Sequence, residues 1–403
     1  MNQFLKANIW DVVMGIQYLF VAIGATILVP ILTGIPVTAV LFTAGTGTLL
    51  FHIITKGKVP VLLSSSFAFI APIIIVSELY GQAYAFGGIF VAGIIYLLLA
   101  VFVYFVGIDF ISKLFPPVVA STMVILIGLI LAPIAIKNAS VNWFIAIATL
   151  GVGITIKFVY EGSFLGSLSI IMSIIIGSIF ASFHCMGYWN IDVGLPLLAL
   201  PNLTFPQFSI AAITLIAPIA IVTFLEHFAD ISAVSKVVEK DFLKDPGVHR
   251  TLIGDGLATA FAGLLGGCPN TTYSENIGAL ELTGVKKPVT LRITAICLII
   301  LSFFPMLAAL LHSIPTAVIG GISILLFGMI ASSGLKGLIN EKVDMKNYCN
   351  MIIVATMLVI GVGGTVVTIG AVQVSSLALA ALIGVVLNIG FNYKTVFNLS
   401  FKD

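Results

Sequence analysis

The stretch VPVLLSSSFAFIAPIIIV, residues 59–76, is apolar and nearly long enough to cross a bilayer, yet it cannot do so as one clean helix. A helical span needs about 20 mostly apolar residues to cross a ~30 Å hydrocarbon core. Here Ser64, Ser65 and Ser66 stand together in the middle, and Pro72 follows. Serine hydroxyls compete for backbone hydrogen bonds, and proline removes a donor. A second stretch, NTTYSENIGALEL at residues 270–282, is broken in the same way. It follows Pro269 and carries Asn270, Thr271, Thr272, Glu275 and Asn276. Hydroxyl and aromatic residues alternating over a few positions fit a short extended segment better than a helix. At membrane depth such backbone is tolerated only where protein or a water-filled cavity meets it.

Around these two segments the chain is apolar from end to end. Of its 403 residues 60% are hydrophobic and 8% charged, and the mean hydropathy is +1.21. A soluble fold carries about 25% charged residues, so these few charges cannot furnish a soluble surface. Runs near 20 apolar residues recur throughout, and in lipid they must be helices that satisfy their own backbone. No ten-residue alternation of a membrane barrel is present. The net charge of +2 indicates no nucleic-acid partner. Cys185, Cys268, Cys297 and Cys349 lack metal or disulfide spacing. The first apolar run is long and has no small-residue cleavage site near its end, so it reads as a retained span.

The reading yields an all-α membrane protein of fourteen spans. They cover roughly residues 12–32, 37–55, 59–76, 85–108, 118–136, 141–156, 166–183, 210–237, 252–265, 270–282, 289–311, 315–333, 347–366 and 374–391. The longest connection, His184 to Phe208, divides them into two sets of seven. With the N-terminus in the cytoplasm, all of the 18 basic residues but Lys137 fall on the inside, as the positive-inside rule requires. Both termini are then cytoplasmic. Because seven is odd, the two halves enter the membrane from opposite sides, a recurring transporter design. Faint internal similarity agrees. Ser65-Ser66-Phe67-Ala68-Phe69 in span 3 corresponds to Thr271-Thr272-Tyr273-Ser274-Glu275 in span 10. Pro117 to Gly128-Leu129-Ile130 corresponds to Pro315 to Gly328-Met329-Ile330. Interrupted segments at matching places of two halves point to a transport site; the plainer reading makes them re-entrant structural loops.

Most acids lie in loops, but Glu226 and Asp230 sit within span 8 and Glu275 in span 10. Glu226 and Asp230 are four apart and share a helix face. An acid at mid-membrane costs roughly 2.5–3.5 kcal/mol on insertion scales. Removal from water favours a carboxyl's protonated form, the property a proton-coupled site needs. No Lys or Arg is expected inside a span to pair with them. His227 reads as a packed or interface histidine, Asp255 as a helix-terminus residue and Asp11 as the start of span 1. His52 and His312 lie near span ends. Carboxylates accept N–H bonds and bare backbone N–H groups donate to carbonyls, so a flat polar heterocycle suits the site. Phe67 and Tyr273 offer aromatic faces. The residues alone stop at a polar small molecule and a proton.

The run Glu275-Asn276-Ile277-Gly278, with Thr283 after four more residues, resembles the signature of the nucleobase–ascorbate transporter (nucleobase–cation symporter) family. Gln17 with Gly24-Ala25-Thr26, the span 3 serines, Glu226-His227, Lys240 to Arg250 and Asn270 to Tyr273 resemble its uracil-transporting bacterial members. The resemblance implies two inverted seven-span repeats. It implies a core domain of spans 1–4 (residues 1–111) and 8–11 (209–312), and a gate domain of spans 5–7 (112–186) and 12–14 (313–403). An extracytoplasmic loop, 187–208, lies between. Short antiparallel strands are implied in spans 3 and 10. Glu226 and Glu275 are the implied uracil-binding carboxylates, with backbone at Phe67 and Ser274, and Ala25 and Tyr273 nearby. Glu226, Glu275 and Asp230 are the proton-coupling candidates. No cofactor is implied beyond the coupling proton. The implied setting is the bacterial cytoplasmic membrane, with a homodimer through the gate domains. Departures exist: Tyr18 stands where a His often follows Gln17, Asp230 where some members have His, and Phe327 where some have Tyr. Asp230 leans toward an oxopurine such as xanthine, Glu275 toward uracil. An intramembrane enzyme using Glu226 and Asp230 would need two facing acids, usually from separate helices. A channel would need pore-lining charge rings or a repeated filter.

Overall fold

A computed structural model of the chain describes residues 7–185, 195–273, 280, 285–364, 366–370 and 372–396. Among these residues seven helices are long and apolar enough to cross a membrane, or eight if one bent pair is a single span.

The first helix, α1, runs Ile9–Thr33 and opens on a capping box between Asn8 and Asp11, so Asp11 does begin the first span. Helix α2 is Val37–Ile54. Strand β1 is Ser64–Ser65, followed by a 3₁₀ turn at Phe67–Phe69 and α3, Ile70–Leu79. Then come α4, Gln82–Val106, the short α5, Ile108–Leu114, and α6, Pro117–Ala139. Helices α7, Trp143–Val159, α8, Phe164–Ser167, and α9, Ser169–Cys185, complete the first half.

The second half starts with α10, Ile210–Ile216, and α11, Ile219–Val238. Helix α12 is Val248–Leu265 and β2 is Asn270–Thr271. Helices α13, Pro288–Ser302, and α14, Pro305–His312, meet at an 85° bend. The sequence reading has one span there; Pro305 cannot continue the preceding hydrogen-bond ladder, so the helix breaks. Helix α15 is Thr316–Asn340 and α16 is Tyr348–Val362. A hairpin of β3, Val367–Ile369, and β4, Val372–Val374, precedes α17, Ser376–Val396. That hairpin is absent from the sequence reading, although Val-Thr-Ile and Val-Gln-Val have the composition of strands.

The helices pack in two groups. One gathers α1, α2, α4, α12 and α13; the other gathers α6, α7, α9, α15, α16 and α17. Glycines set the close approaches in each. A Cβ on Gly93 of α4 would stand 2.4 Å from the Ala260 nitrogen of α12, and one on Gly128 of α6 would stand 2.4 Å from the Phe327 carbonyl of α15. In lipid, where the hydrophobic effect does not press helices together, small residues let backbones approach and recover dispersion energy.

Polar contacts define two opposite faces. On one face Lys287 meets Asp11, Lys58 meets Asp245, Lys286 meets Glu239 and Lys236 meets Glu341. These pairs tie together segments that the charge pattern assigns to one side of the membrane. On the other face the connection before α10 is bound to helix ends. Asn202 N–H donates to Thr38, Thr204 N–H to the Leu265 carbonyl, and Gln207 N–H to the Ala83 carbonyl.

Candidate functional site

Strands β1 and β2 pair antiparallel, Ser64 opposite Thr271 and Ser65 opposite Asn270. Beyond the ladder Ser66 N–H donates to the Pro269 carbonyl. All of these residues are buried. A two-residue ladder satisfies little backbone, so surrounding side chains do the rest. Ser64 and Thr26 hydroxyls lie 2.8 Å apart, and Ser65 Oγ donates to the Thr26 carbonyl. Thr48 Oγ1 accepts the Leu63 N–H at 2.9 Å. Asn270 Nδ2 donates to the Thr43 carbonyl, and Thr259 Oγ1 donates to the Asn270 carbonyl. Thus α1, α2 and α12 hold the strand pair through hydroxyl and amide groups.

Helix α11 carries the acids. Its preceding break at Ala217-Pro218 separates it from α10. Glu226 is half-buried and Asp230 is 2% exposed; both hold interactions with their surroundings. Between them His227 is wholly buried. Its Nδ1 lies 2.8 Å from Asp255 Oδ2, and its Nε2 lies 2.8 Å from Thr251 Oγ1. With Asp255 as a carboxylate, which only accepts, Nδ1 is the nitrogen that donates to it. The same Asp255 oxygen accepts the Thr272 N–H at 3.1 Å, just past β2. One carboxylate therefore joins α11, α12 and the end of the strand.

This network corrects one expectation. Asp255 is not at a helix terminus: α12 starts at Val248, a full turn before the expected edge, which sets Asp255 deep in the helix and fully buried. An acid flanked by Gly254 and Gly256 in an apolar run was the available signal. The expectation of spans free of basic residues also fails. Arg292 lies in the second turn of α13, is buried, and donates Nε to His52 Nδ1 at 3.1 Å and Nη2 to the Gly57 carbonyl at 3.3 Å. His52 in turn sits 2.8 Å from the Val61 carbonyl, below the broken segment.

Of the other candidates, Phe67 opens the 3₁₀ turn and its ring meets Phe327 of α15 edge to face, centroids 6.3 Å apart. Tyr273 is buried directly after Thr272. Ala25 lies in α1, beside Thr26 in the chain. Ser274 and Glu275 lie outside the described residues, as do Asn276 and Glu281. Two cavities border the second helix group. One of about 280 Å³ is lined by Phe67, α3, α6 and the start of α17. The other, about 400 Å³, is lined by Phe224, Leu225, Phe228 and Ala229 of α11 with α6 and α15, and reaches Lys236 and Glu341. A helix face that bears acids, a short buried strand pair and an aromatic contact suit reversible binding of a polar ring.

Comparison with known proteins agrees with this architecture. The model of a family described as "Permease family" matches residues 11–370. The "Probable uracil permease" of Pasteurella multocida (strain Pm70) is 40% identical over 93% of this chain and 92% of its own. The "Uracil permease" of Bacillus subtilis (strain 168) is 40% identical over 93% of this chain and 91% of its own. The structure of the murine anion transporter Slc26a9, described as inward-facing, superposes with a TM-score of 0.71. It covers 99% of this chain and 70% of that chain at 14% identity, a likeness of fold alone.

Proposed function

This chain belongs to the permease family, a family of transporters and not of enzymes, and we propose that it is a uracil:proton symporter of the bacterial cytoplasmic membrane. The observation that carries the proposal is the link from α11, the helix that bears Glu226 and Asp230, to the strand pair, through His227 to Asp255 and from Asp255 to the Thr272 N–H. Relatives at 40% identity bear the name uracil permease. In this reading the chain makes fourteen spans in two inverted repeats, with both termini in the cytoplasm. The face of ion pairs around Lys58, Lys236, Lys286 and Lys287 is then cytoplasmic, in keeping with the positive-inside rule.

The helix group around the strands acts as the core and the group of α6 and α15 as the gate. Glu226 and Glu275 accept ring N–H groups, and backbone at Phe67 and Ser274 donates to or accepts from the ring edge. Tyr273 and Ala25 bound the pocket. Uracil's N–H donors beside carbonyls match carboxylates beside bare N–H groups. Protonation of an acid in the Glu226, Asp230 and Glu275 set removes charge from the pocket, which lets the loaded core move past the gate. Alternating access follows when only the loaded or the empty core completes that movement. Asp230 favours a second cargo reading, an oxopurine such as xanthine. Gate-to-gate contact between two copies completes the proposed assembly.

Uptake by proteoliposomes under an imposed pH gradient tests the reading, with labelled uracil and xanthine in parallel. Uracil accumulation that collapses with a protonophore is expected. Uptake of uracil indifferent to the gradient overturns proton coupling, and accumulation of xanthine but not uracil overturns the cargo.

A further inference from the structure

At the face of ion pairs, on the flank of the first helix group, an open-sided cavity of about 460 Å³ lies among Ile53, Ile54, Tyr104, His249, Arg250 and Ile253. It belongs to α2, α4 and α12, away from the strand pair and the acids of α11. Its walls are apolar or aromatic and open to the surroundings: Ile53 is 60% and Tyr104 65% exposed. The same side of α4 continues outward through Leu98, Val101 and Phe105, all exposed. A surface of this kind on a membrane protein faces acyl chains.

The floor is cationic. Arg250 is half-buried and donates Nη1 to the Ile54 carbonyl at 3.3 Å, which orients the guanidinium at the end of α2. No carboxylate of the described residues lies within 4.0 Å of it. Lys58, four residues past Ile54 in the chain, is paired with Asp245. His249 stacks edge to face on Tyr104, centroids 5.3 Å apart, which fixes both rings at the rim. An arginine with one of five donors committed, no acidic partner and an apolar groove beside it is complementary to a phosphate that carries hydrocarbon. Arginine binds phosphate oxygens in pairs, and basic pockets at the membrane surface hold anionic headgroups.

We infer that this cavity is a binding site for an anionic glycerophospholipid, its headgroup phosphate on Arg250 and an acyl chain along Ile53, Tyr104 and Ile253. The chemistry needs both parts: a free phosphate would lack the groove, and a zwitterionic lipid brings a second, repelled cation. The inference depends on no choice of transported substrate.

The test titrates the purified full chain in neutral detergent with phosphatidylglycerol, phosphatidylcholine and inorganic phosphate, and counts bound lipid by native mass spectrometry. Phosphatidylglycerol is expected to bind in preference to phosphatidylcholine, with millimolar phosphate failing to displace it. Arg250→Gln is expected to weaken phosphatidylglycerol about fivefold, the size of one basic contact at a membrane surface, and to leave phosphatidylcholine unchanged. Ile53→Trp, at an exposed position, fills the groove without touching the arginine and is expected to lower lipid binding as well. It serves where Arg250→Gln does not fold. Equal binding of the two lipids overturns the inference. So does phosphatidylglycerol binding untouched by both substitutions. Displacement by inorganic phosphate assigns the site to the free anion and overturns the lipid.

Discussion

Replacing Asp255 tests whether the buried network positions the strand end or merely fills space. Asp255 Oδ2 holds two partners at once, His227 Nδ1 at 2.8 Å and Thr272 N–H at 3.1 Å, and all three residues are buried. Asp255→Ala removes both bonds: the buried Thr272 N–H is left without an acceptor, and His227 Nδ1 keeps only the Thr272 hydroxyl at 3.3 Å. The stranded Thr272 N–H costs about 1–3 kcal/mol and the lost His227 bond about 0.5–1.5 kcal/mol, so the change costs about 1.5–4.5 kcal/mol. Asp255→Asn keeps the shape. Its carbonyl can take the place of Oδ2 and its amide the place of Oδ1, for which no partner exists among the described residues. What Asn loses is the charge on the acceptor, which makes such bonds about twice as strong as neutral ones. The expected order is therefore Asp, Asn, Ala. Because Thr272 leads directly into Tyr273 and the signature, part of the loss is expected in binding of the proposed cargo. We expect less than about tenfold weaker uracil binding for Asn and about a hundredfold or more for Ala, a factor of ten being about 1.4 kcal/mol. Equilibrium binding of labelled uracil to purified variants, beside their melting temperatures, separates the two roles. Wild-type affinity in a destabilised Asp255→Ala protein would refute positioning and leave only packing.

Three further outcomes are expected. Glu226→Gln keeps the volume of the side chain but not its charge; the inserted protein should lose uracil binding by more than about tenfold, since bonds to charged groups are worth about 1.5–3 kcal/mol, and unchanged affinity in a binding assay would remove Glu226 from the site. Gly93→Ala drives a methyl against the Ala260 backbone at 2.4–2.7 Å and should destabilise by about 1–3 kcal/mol, seen as a lower melting temperature, while Gly151→Ala, with nothing within 4 Å, should not. Arg292→Met strips His52 and the Gly57 carbonyl of a donor and should lower the melting temperature with Arg292→Lys intermediate, because lysine cannot reproduce the fork of donors; equal melting of all three proteins would show the buried arginine to be dispensable.

Much of this architecture is legible in residue order because the bilayer restricts the options. Long apolar helices such as α1, α4, α6 and α15 follow from run length alone, and the two weak segments stand out by their hydroxyls and prolines. Interactions between distant helices are less legible. Asp255 is eight residues into α12, but its meaning depends on His227, twenty-eight positions earlier in the chain. The charge of Arg292 argues for a loop, whereas its bonds to His52 and Gly57 let α13 bury it. The 85° bend follows from the break before Pro305, which hydropathy does not register. The hairpin of β3 and β4 is missed because six strand residues look like the frayed ends of two spans.

The anchors of the strand pair bear on which parts move together. β1 is tied to Thr26 of α1, and Leu63 just before it to Thr48 of α2. β2 is tied to Thr43 of α2 and Thr259 of α12, and its exit to Asp255 of α12. Every one of these helices belongs to the same packing group. Toward the other group the broken segment offers Phe67 against Phe327, an edge-to-face ring contact worth about 0.5–1.5 kcal/mol beyond its buried area. Several buried hydrogen bonds, each costly to break, therefore oppose one aromatic contact that can slide or part. A displacement of one group against the other would carry both strands with α1, α2 and α12 and exchange apolar contacts such as those at α15 and between α1 and α9. By the same division the polar partners of the strand pair would travel with it, so the pair need not come apart for the groups to move.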